Sequence, residues 1–115
     1  MTDVVVFGLP NCDTCRKAQK WLTAQGVAYT FCDLRNPPVT AAQIGGWLEH
    51  LSPEQLVNRR STTWRGLSEA QREQALAGDA QLLEQHPTLI KRPLAEWGNR
   101  ITVGFQAEQW EANLS

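Results

Sequence analysis

The 115-residue chain has no apolar run close to the roughly 20 residues that would span a bilayer. Its first residues lead into an apolar segment at Val4 with no basic region before it, so we predict no signal peptide. The net charge of −1 offers no basic excess that would favour direct binding to nucleic acid or to an anionic membrane. Three cysteines, an odd number with one close pair, argue against a secreted disulfide scaffold. We therefore expect a cytoplasmic protein that binds neither membranes nor nucleic acid directly.

Length and composition are those of an ordinary globular protein. The chain is 42% hydrophobic and 20% charged, and 115 residues are enough to bury one hydrophobic core. No internal repeat, low-complexity tract or obvious linker interrupts it. We predict a single domain over residues 1–115.

The first third of the chain reads as strand, helix, strand. Residues 4–9 are apolar without alternation, which is typical of a buried strand. The next segment places Cys15, Ala18 and Leu22 at helical spacing, and Gly26 follows where a left-handed cap would end the helix. Residues 29–34 form a second strand-like run. This order predicts a βαβ unit with two parallel strands.

The middle of the chain carries three signals of helix starts and no strand signal. Each is a serine or threonine followed three residues later by glutamine, the pattern of a capping box: Thr40, Ser52 and Ser68. A break at Gly78 precedes a further short helix that ends before Pro87. We predict a helical insertion over about residues 40–86.

Strand character returns near the C-terminus. The candidate strands are residues 88–90, a segment after Pro93, and residues 101–105; a terminal helix from Ala107 carries Trp110 on its apolar face. The whole order is βαβ, helices, ββα. With a Cys-x-x-Cys pair at the first helix start, this is the thioredoxin-like arrangement, an α/β fold with a mixed four-stranded sheet.

The pair Cys12-x-x-Cys15 is the strongest chemical signal. A sulfur at a helix start faces unpaired backbone N–H groups and the positive end of the helix dipole, and Arg16 and Lys17 add positive charge. All of these favour the thiolate, so we predict that Cys12 is a nucleophile of low pKa. Cys15, one turn later, is a candidate resolving thiol for a mixed disulfide on Cys12.

The cysteines allow two other interpretations. A zinc site needs about four ligands at set spacing, but Cys32, His50 and His86 are isolated, so no metal site is predicted. Free cysteines are often simply buried, and Cys15 could be a core residue while Cys12 acts alone.

Two basic segments could bind an anion near the thiol. Arg92 precedes Pro93; in thioredoxin-like folds a cis-proline faces the active cysteine, and a guanidinium beside it would lie near Cys12. Arg59 and Arg60 could bind a carboxylate or an oxyanion. The alternatives are a solvated strand end for the first segment and, for the second, two arginines late in a surface helix that complement its dipole.

Taken together, three segments resemble the ArsC family, which contains glutaredoxin-dependent arsenate reductases, Spx-type regulators and the YffB proteins. Residues 8–18 resemble its nucleophile loop, residues 60–65 its insertion motif, and residues 86–94 its third signature. The resemblance covers essentially the whole chain. Within the family it is strongest for the YffB proteins, through residues 60–67 and 91–94.

The resemblance implies roles for individual residues. Cys12 matches the nucleophile, Arg60 and Arg92 match two oxyanion-binding arginines, and Pro93 matches the cis-proline. Arg59 replaces Arg60 if the alignment shifts by one residue. Asn11, in the nucleophile loop, joins the expected binding residues.

The chain also departs from the arsenate reductases of this family. They use a third arginine in the last hairpin, where residues 101–105 here hold none, and Arg100 is out of register. They carry a histidine upstream of the nucleophile, where this chain has Gly8. Losing a charge-assisted contact in a dry site costs a few kcal/mol, about a hundredfold in activity, which argues against arsenate as the substrate.

These residues predict a glutathione-dependent thiol-disulfide reductase that acts through a mixed disulfide on Cys12. Glutathione is a co-substrate, no cofactor is bound, and the other partners are a disulfide or oxidised substrate and glutaredoxin. Two alternatives stay open. One is a glutaredoxin-linked arsenate reductase, and the other is an Spx-like redox-sensing regulator that binds RNA polymerase.

Overall fold

The computed structural model describes residues 4–114. The strands are β1 (Val4–Gly8), β2 (Tyr29–Asp33), β3 (Leu94–Trp97) and β4 (Ile101–Val103). The helices are α1 (Asp13–Ala24), α2 (Ala41–Leu48), α3 (Pro53–Leu56), α4 (Thr62–Arg65), α5 (Glu69–Leu76), α6 (Ala80–Gln85) and α7 (Ala107–Leu114), with a 3₁₀ turn at Pro87–Leu89. These elements form two compact units, residues 4–33 with 92–114, and residues 34–91.

The first unit is built on a four-stranded sheet in the order β2-β1-β3-β4. β1 runs parallel to β2, as the βαβ reading predicts, and antiparallel to β3, which pairs antiparallel with β4. This mixed sheet, with α1 crossing between its parallel strands and α7 following β4, is the predicted thioredoxin-like α/β fold. Gly26 takes the predicted left-handed conformation, with φ of 71°, two residues after α1 ends.

The core of this unit lies between one face of the sheet and the two helices. Alternate residues of β1 and β3 face α1 and α7, and buried residues meet there: Val4, Val6, Ala18, Leu22, Ala95, Trp97 and Trp110. Trp110 packs edge-on against Trp97 and Phe105, with ring centroids 5.0 Å apart in both pairs. This core holds α1, and therefore its first turn, against the sheet.

The second unit contains the predicted helices of residues 40–86. All three capping boxes form. The side chains of Thr40, Ser52 and Ser68 each accept a hydrogen bond from the backbone N–H three residues later, and the backbone N–H of each cap residue donates to the Oε1 of that glutamine. The helix α6 of this unit ends at Gln85, with His86 as its C-cap, so it stops before Pro87 as expected. The sequence did not indicate α4, which Ser61 caps by accepting a bond from the Trp64 N–H.

Two predictions in this region are wrong. Residues 88–90 do not form a strand, because Pro87 begins a 3₁₀ turn whose N–H groups bond locally, Leu89 to His86 and Ile90 to Pro87. Only an isolated bridge between Ile90 and Val57 gives the segment any β character.

The second error concerns the alternative for Arg59 and Arg60, which are not at the end of a helix. Both lie in an exposed turn between α3 and α4.

Within residues 4–114, none of the helices is both long enough and apolar enough to cross a membrane.

Candidate active site

The strand order brings two loops to the same end of the sheet in the first unit. β1 ends at Gly8 and leads to Cys12, whose N–H donates to the Leu9 carbonyl at 3.2 Å and which caps the start of α1. β3 is antiparallel to β1 and begins with Leu94 opposite Phe7. Arg92 and Pro93 therefore enter the sheet at the end where Cys12 leaves it.

Cys12 occupies the predicted place at the N-terminus of α1 and is partly exposed. Partial burial raises the pKa of its thiol, but opposing effects outweigh it, and the pKa is below the ordinary 9.0. The backbone N–H and the thiol of Cys15, the N–H of Thr14 and the charge of Arg92 all favour the thiolate. Neither amide makes a short capping bond to the neutral thiol, so their effect is mainly on the charged form.

Cys15 lies one helical turn later and is completely buried. Burial raises the pKa of its thiol to about 11, and the neighbouring Cys12 sulfur adds to the increase. The Cys15 thiol therefore keeps its proton, and its S–H is the donor in the hydrogen bond to the Cys12 sulfur. No disulfide joins the two cysteines, and the pair consists of a partly exposed thiol with a lowered pKa and a buried thiol with a raised one.

Gly8 contacts the inner thiol directly. A Cβ at position 8 would lie 2.4 Å from the Cys15 Sγ, far inside contact distance. In the sequence Gly8 stands out only as a departure from the arsenate reductases, and its contact with Cys15 is not predicted. The available signal was a glycine at an inward-facing position of a strand that is otherwise valine and phenylalanine.

Arg92 and Pro93 form the other side of the loop pair. The Arg92–Pro93 peptide is cis, as predicted. Arg92 is half-buried, and its positive charge favours the thiolate of both cysteines. The Pro93 carbonyl accepts a hydrogen bond from the Gly104 N–H at 2.9 Å, which ties the start of β3 to the segment after β4.

Arg60 belongs to the second unit. Its backbone N–H donates to the Asn58 Oδ1 at 3.0 Å, and its carbonyl accepts from the Arg65 guanidinium at 3.3 Å. These bonds shape the turn and leave the Arg60 side chain exposed. Its part in binding glutathione, like that of the exposed Asn11, stays a prediction.

Arg100 lies at the opposite end of the sheet from Cys12. The turn after β3 closes where the Trp97 N–H donates to the Arg100 carbonyl, and Trp97 lies opposite Val4 at the start of β1. The length of β3 therefore separates Arg100 from Arg92, roughly 10 Å at the rise of a strand. Arg100 instead donates to the Asn113 Oδ1 on α7.

Cys32, the third cysteine, lies on β2 as expected. Burial raises the pKa of its thiol, and the Glu96 carboxylate adds to the increase. Its ladder partner is Phe7, on the sheet face opposite to that of Gly8 and α1. Among the residues that the structure describes, no three histidine, cysteine or acidic side chains are grouped so that they could hold a metal ion.

Comparison with known proteins gives relatives over nearly the full chain. An uncharacterised protein of Haemophilus influenzae is 34% identical, over 95% of this chain and 96% of its own length. The global transcriptional regulator Spx of Streptococcus pyogenes is 26% identical, over 97% of this chain and 85% of its own length.

Solved structures agree with the fold. A YffB protein has 34% identity and a TM-score of 0.89, covering 97% of this chain and 99% of that one. An arsenate reductase (ArsC) related protein from Brucella melitensis has 37% identity and a TM-score of 0.74, covering 98% and 95%. Residues 7–113 match the ArsC family itself, and a relative of 34% identity covers 95% of the chain, so the protein belongs to the ArsC family.

Proposed function

We propose that the protein is a glutathione-dependent thiol-disulfide reductase in which Cys12 is the nucleophile. The observation that carries this proposal is the difference between the two thiols. Cys12 is partly exposed and has a lowered pKa, whereas Cys15 is buried with its pKa raised to about 11. A reductase that works through a mixed disulfide needs one accessible thiolate, and Cys12 has these properties.

The reaction is two successive exchanges at sulfur. The Cys12 thiolate attacks the glutathione sulfur of a mixed disulfide between glutathione and a substrate thiol; the substrate leaves as a thiolate and takes a proton from water. A second glutathione thiolate then attacks the glutathione sulfur held on Cys12. Oxidised glutathione leaves and the Cys12 thiolate is restored. The sum is one mixed disulfide and one glutathione converted to one free thiol and one oxidised glutathione.

Arg92 supports the choice of glutathione. Glutathione carries two carboxylates and a peptide backbone, and a guanidinium binds a carboxylate through two parallel hydrogen bonds. Arg92 and Pro93 lie at the same end of the sheet as Cys12. We propose that Arg92, with Asn11 and Pro93, binds the glutathione moiety while its sulfur reacts at Cys12. For Arg60 a part in this binding rests on the family resemblance alone.

Cys15 offers a second route for the mixed disulfide. Its thiolate could attack the Cys12 sulfur, release glutathione and form a Cys12–Cys15 disulfide. With a pKa of about 11, only about one Cys15 in ten thousand is a thiolate at pH 7, so this step is slow unless the mixed disulfide changes its surroundings. We propose that a second glutathione is the usual resolving thiol.

Two alternatives from the family have observations in their favour. The Brucella relative is described as related to arsenate reductase. Against arsenate for this chain, the hairpin of β3 and β4 supplies no arginine at the Cys12 end of the sheet, because Arg100 lies at the other end. The relative named as the global transcriptional regulator Spx favours a regulator. The alternative is then a redox-sensing regulator in which a Cys12–Cys15 disulfide alters a surface that binds RNA polymerase. Glutaredoxin would be the partner of the arsenate alternative.

The deciding experiment is an assay coupled to glutathione reductase. NADPH consumption is followed with a small glutathione mixed disulfide, and in parallel with arsenate plus glutaredoxin. Cys12→Ser and Cys32→Ser are measured beside the unmodified protein, since both remove one thiol but only the first removes the candidate nucleophile. We expect turnover of the disulfide that Cys12→Ser abolishes and Cys32→Ser retains.

The other outcomes contradict the proposal. Turnover of arsenate alone would favour the arsenate reductase despite the absent third arginine. No turnover of either compound would favour the regulator, and a pull-down of RNA polymerase that depends on the oxidation state of Cys12 would support it.

A further inference from the structure

Gly8 stands where α1 passes over β1, and the space beside it is filled by Cys15. A Cβ built at this position would lie 2.4 Å from the Cys15 Sγ, 3.4 Å from its Cβ and 3.4 Å from Phe31 Cε1. The first distance is a collision, and the other two are ordinary contacts between packed atoms. The sulfur of Cys15 therefore occupies the volume that any side chain at position 8 would need.

Backbone conformation does not explain the glycine. Gly8 is the last residue of β1, pairs with Asp33 in the parallel ladder, and is not among the glycines with positive φ. An alanine could adopt this strand conformation without backbone strain. The requirement at position 8 is space.

We propose that Gly8 is the positioning residue of the dithiol: its missing Cβ lets the Cys15 sulfur lie against the strand in the orientation that places its thiol beside Cys12. The contact itself is a property of the fold, and its catalytic consequence rests on the proposed function. Gly8 acts only through Cys15 and need not touch a substrate.

A methyl group at position 8 would displace the sulfur in one of two ways. The Cys15 side chain would rotate about its Cα–Cβ bond, or the first turn of α1 would move away from the sheet. Either movement breaks the hydrogen bond from Cys15 to Cys12. The Cys12 thiolate would lose one of the groups that stabilise it, so alkylation of Cys12 at neutral pH would slow.

The test compares four reduced proteins: unmodified, Gly8→Ala, Cys15→Ala, and the double variant. Two quantities are measured without any glutathione, the midpoint of thermal unfolding and the rate of Cys12 alkylation by iodoacetamide against pH. We expect Gly8→Ala alone to lower the midpoint by about 5 °C and to slow alkylation at pH 7 about threefold. In the Cys15→Ala background, where only the 3.4 Å contacts remain, the same substitution should change neither quantity.

Equal effects of Gly8→Ala in both backgrounds would overturn the proposal, since the effect would then not pass through the sulfur. If Gly8→Ala alone does not fold, a folded double variant supports the proposal and an unfolded one contradicts it. Gly45→Ala is the matched control, because nothing lies within 4 Å of the Cβ it adds in α2, and it should leave alkylation unchanged.

These readouts are separate from the proposed function. Coupling between positions 8 and 15 without glutathione turnover would refute the reductase and leave the positioning role intact. Glutathione turnover without coupling between positions 8 and 15 would support the reductase and refute the positioning role of Gly8.

Discussion

Cys15 lies buried one helical turn after the partly exposed Cys12, and the interaction between the two thiols lowers the pKa of Cys12 while it raises that of Cys15. Burial is the main cause that raises the pKa of Cys15 to about 11, and the neighbouring Cys12 sulfur adds to it; the same interaction stabilises the Cys12 thiolate. The backbone amides at the start of α1 and the charge of Arg92 act on Cys12 in the same sense. The core that holds α1 against the sheet therefore also sets which of the two thiols has the lower pKa.

Replacing the nucleophile should remove exchange chemistry. We expect Cys12→Ser to lower disulfide turnover by at least about a hundredfold, because a serine hydroxyl cannot ionise at neutral pH and cannot form the mixed disulfide. Mass spectrometry of the protein after incubation with oxidised glutathione should find one glutathione adduct, absent in Cys12→Ser. Cys32→Ser should keep both the turnover and the adduct. Loss of the adduct in Cys32→Ser would show that the assignment of Cys12 as the nucleophile is wrong.

The charge of Arg92 should be visible in the pH profile of Cys12. We expect Arg92→Ala to raise the pKa of Cys12, measured from iodoacetamide alkylation rates, because the cation that favours the thiolate is lost. Arg92→Lys should keep most of the effect. Arg92→Ala should also raise the KM for glutathione about tenfold, because it removes a charge-assisted hydrogen bond. This factor should be larger than the factor by which the alkylation rate falls.

Arg100→Ala is the matched control for that series. It also removes one arginine from the first unit, but from the opposite end of the sheet. A profile that shifts as far in Arg100→Ala as in Arg92→Ala would mean that net charge, not the position of Arg92, controls Cys12.

Burial of Cys15 should make the protein lose stability at alkaline pH. The pKa of Cys15 is about 11 in the folded state and about 9.0 when the thiol is exposed. Between pH 9 and pH 11 the folded state therefore keeps a proton that the unfolded state has released, and this difference contributes to the free energy of unfolding. This contribution is complete below pH 9 and is lost as the pH rises towards 11. Cys15→Ala should reduce the fall in the free energy of unfolding over that range by about 2 kcal/mol, measured by urea titration.

Cys12→Ala serves as the comparison, since it leaves the buried thiol in place and should keep most of the alkaline loss. A slope in Cys15→Ala as steep as in the unmodified protein would contradict the assignment of the high pKa to Cys15.

The capping boxes of the second unit should each contribute to stability. Ser68→Ala removes the side-chain oxygen that accepts from the Gln71 N–H at the start of α5, and we expect a loss of about 1 kcal/mol in the free energy of unfolding. Thr23→Ala also removes an exposed hydroxyl, but one that only bonds back to Gln19 within α1, and it should be neutral. A loss in Thr23→Ala equal to that in Ser68→Ala would rule out capping as the cause.

Much of the fold was predictable because its signals are local. The continuous apolar run of β1, the helical spacing of Cys15, Ala18 and Leu22, and the serine-to-glutamine spacing of the capping boxes each depend on residues a few positions apart. Composition alone did not separate residues 88–90 from a strand. Pro87 begins a 3₁₀ turn there, and the N–H groups of Leu89 and Ile90 bond within that turn and not to a neighbouring strand.

The sequence by itself determined the place of Cys12 at a helix start, because strand, turn and helix follow one another within about twenty residues. Only the tertiary structure decided how the two thiols differ. The packing of α1 on the sheet buries Cys15 and brings its sulfur against Gly8. The strand order places Arg92 near Cys12 and Arg100 at the far end of the sheet. Contacts between residues far apart in the chain arise from the register of β1 with β3 and the core beneath α1, and no local pattern encodes those distances.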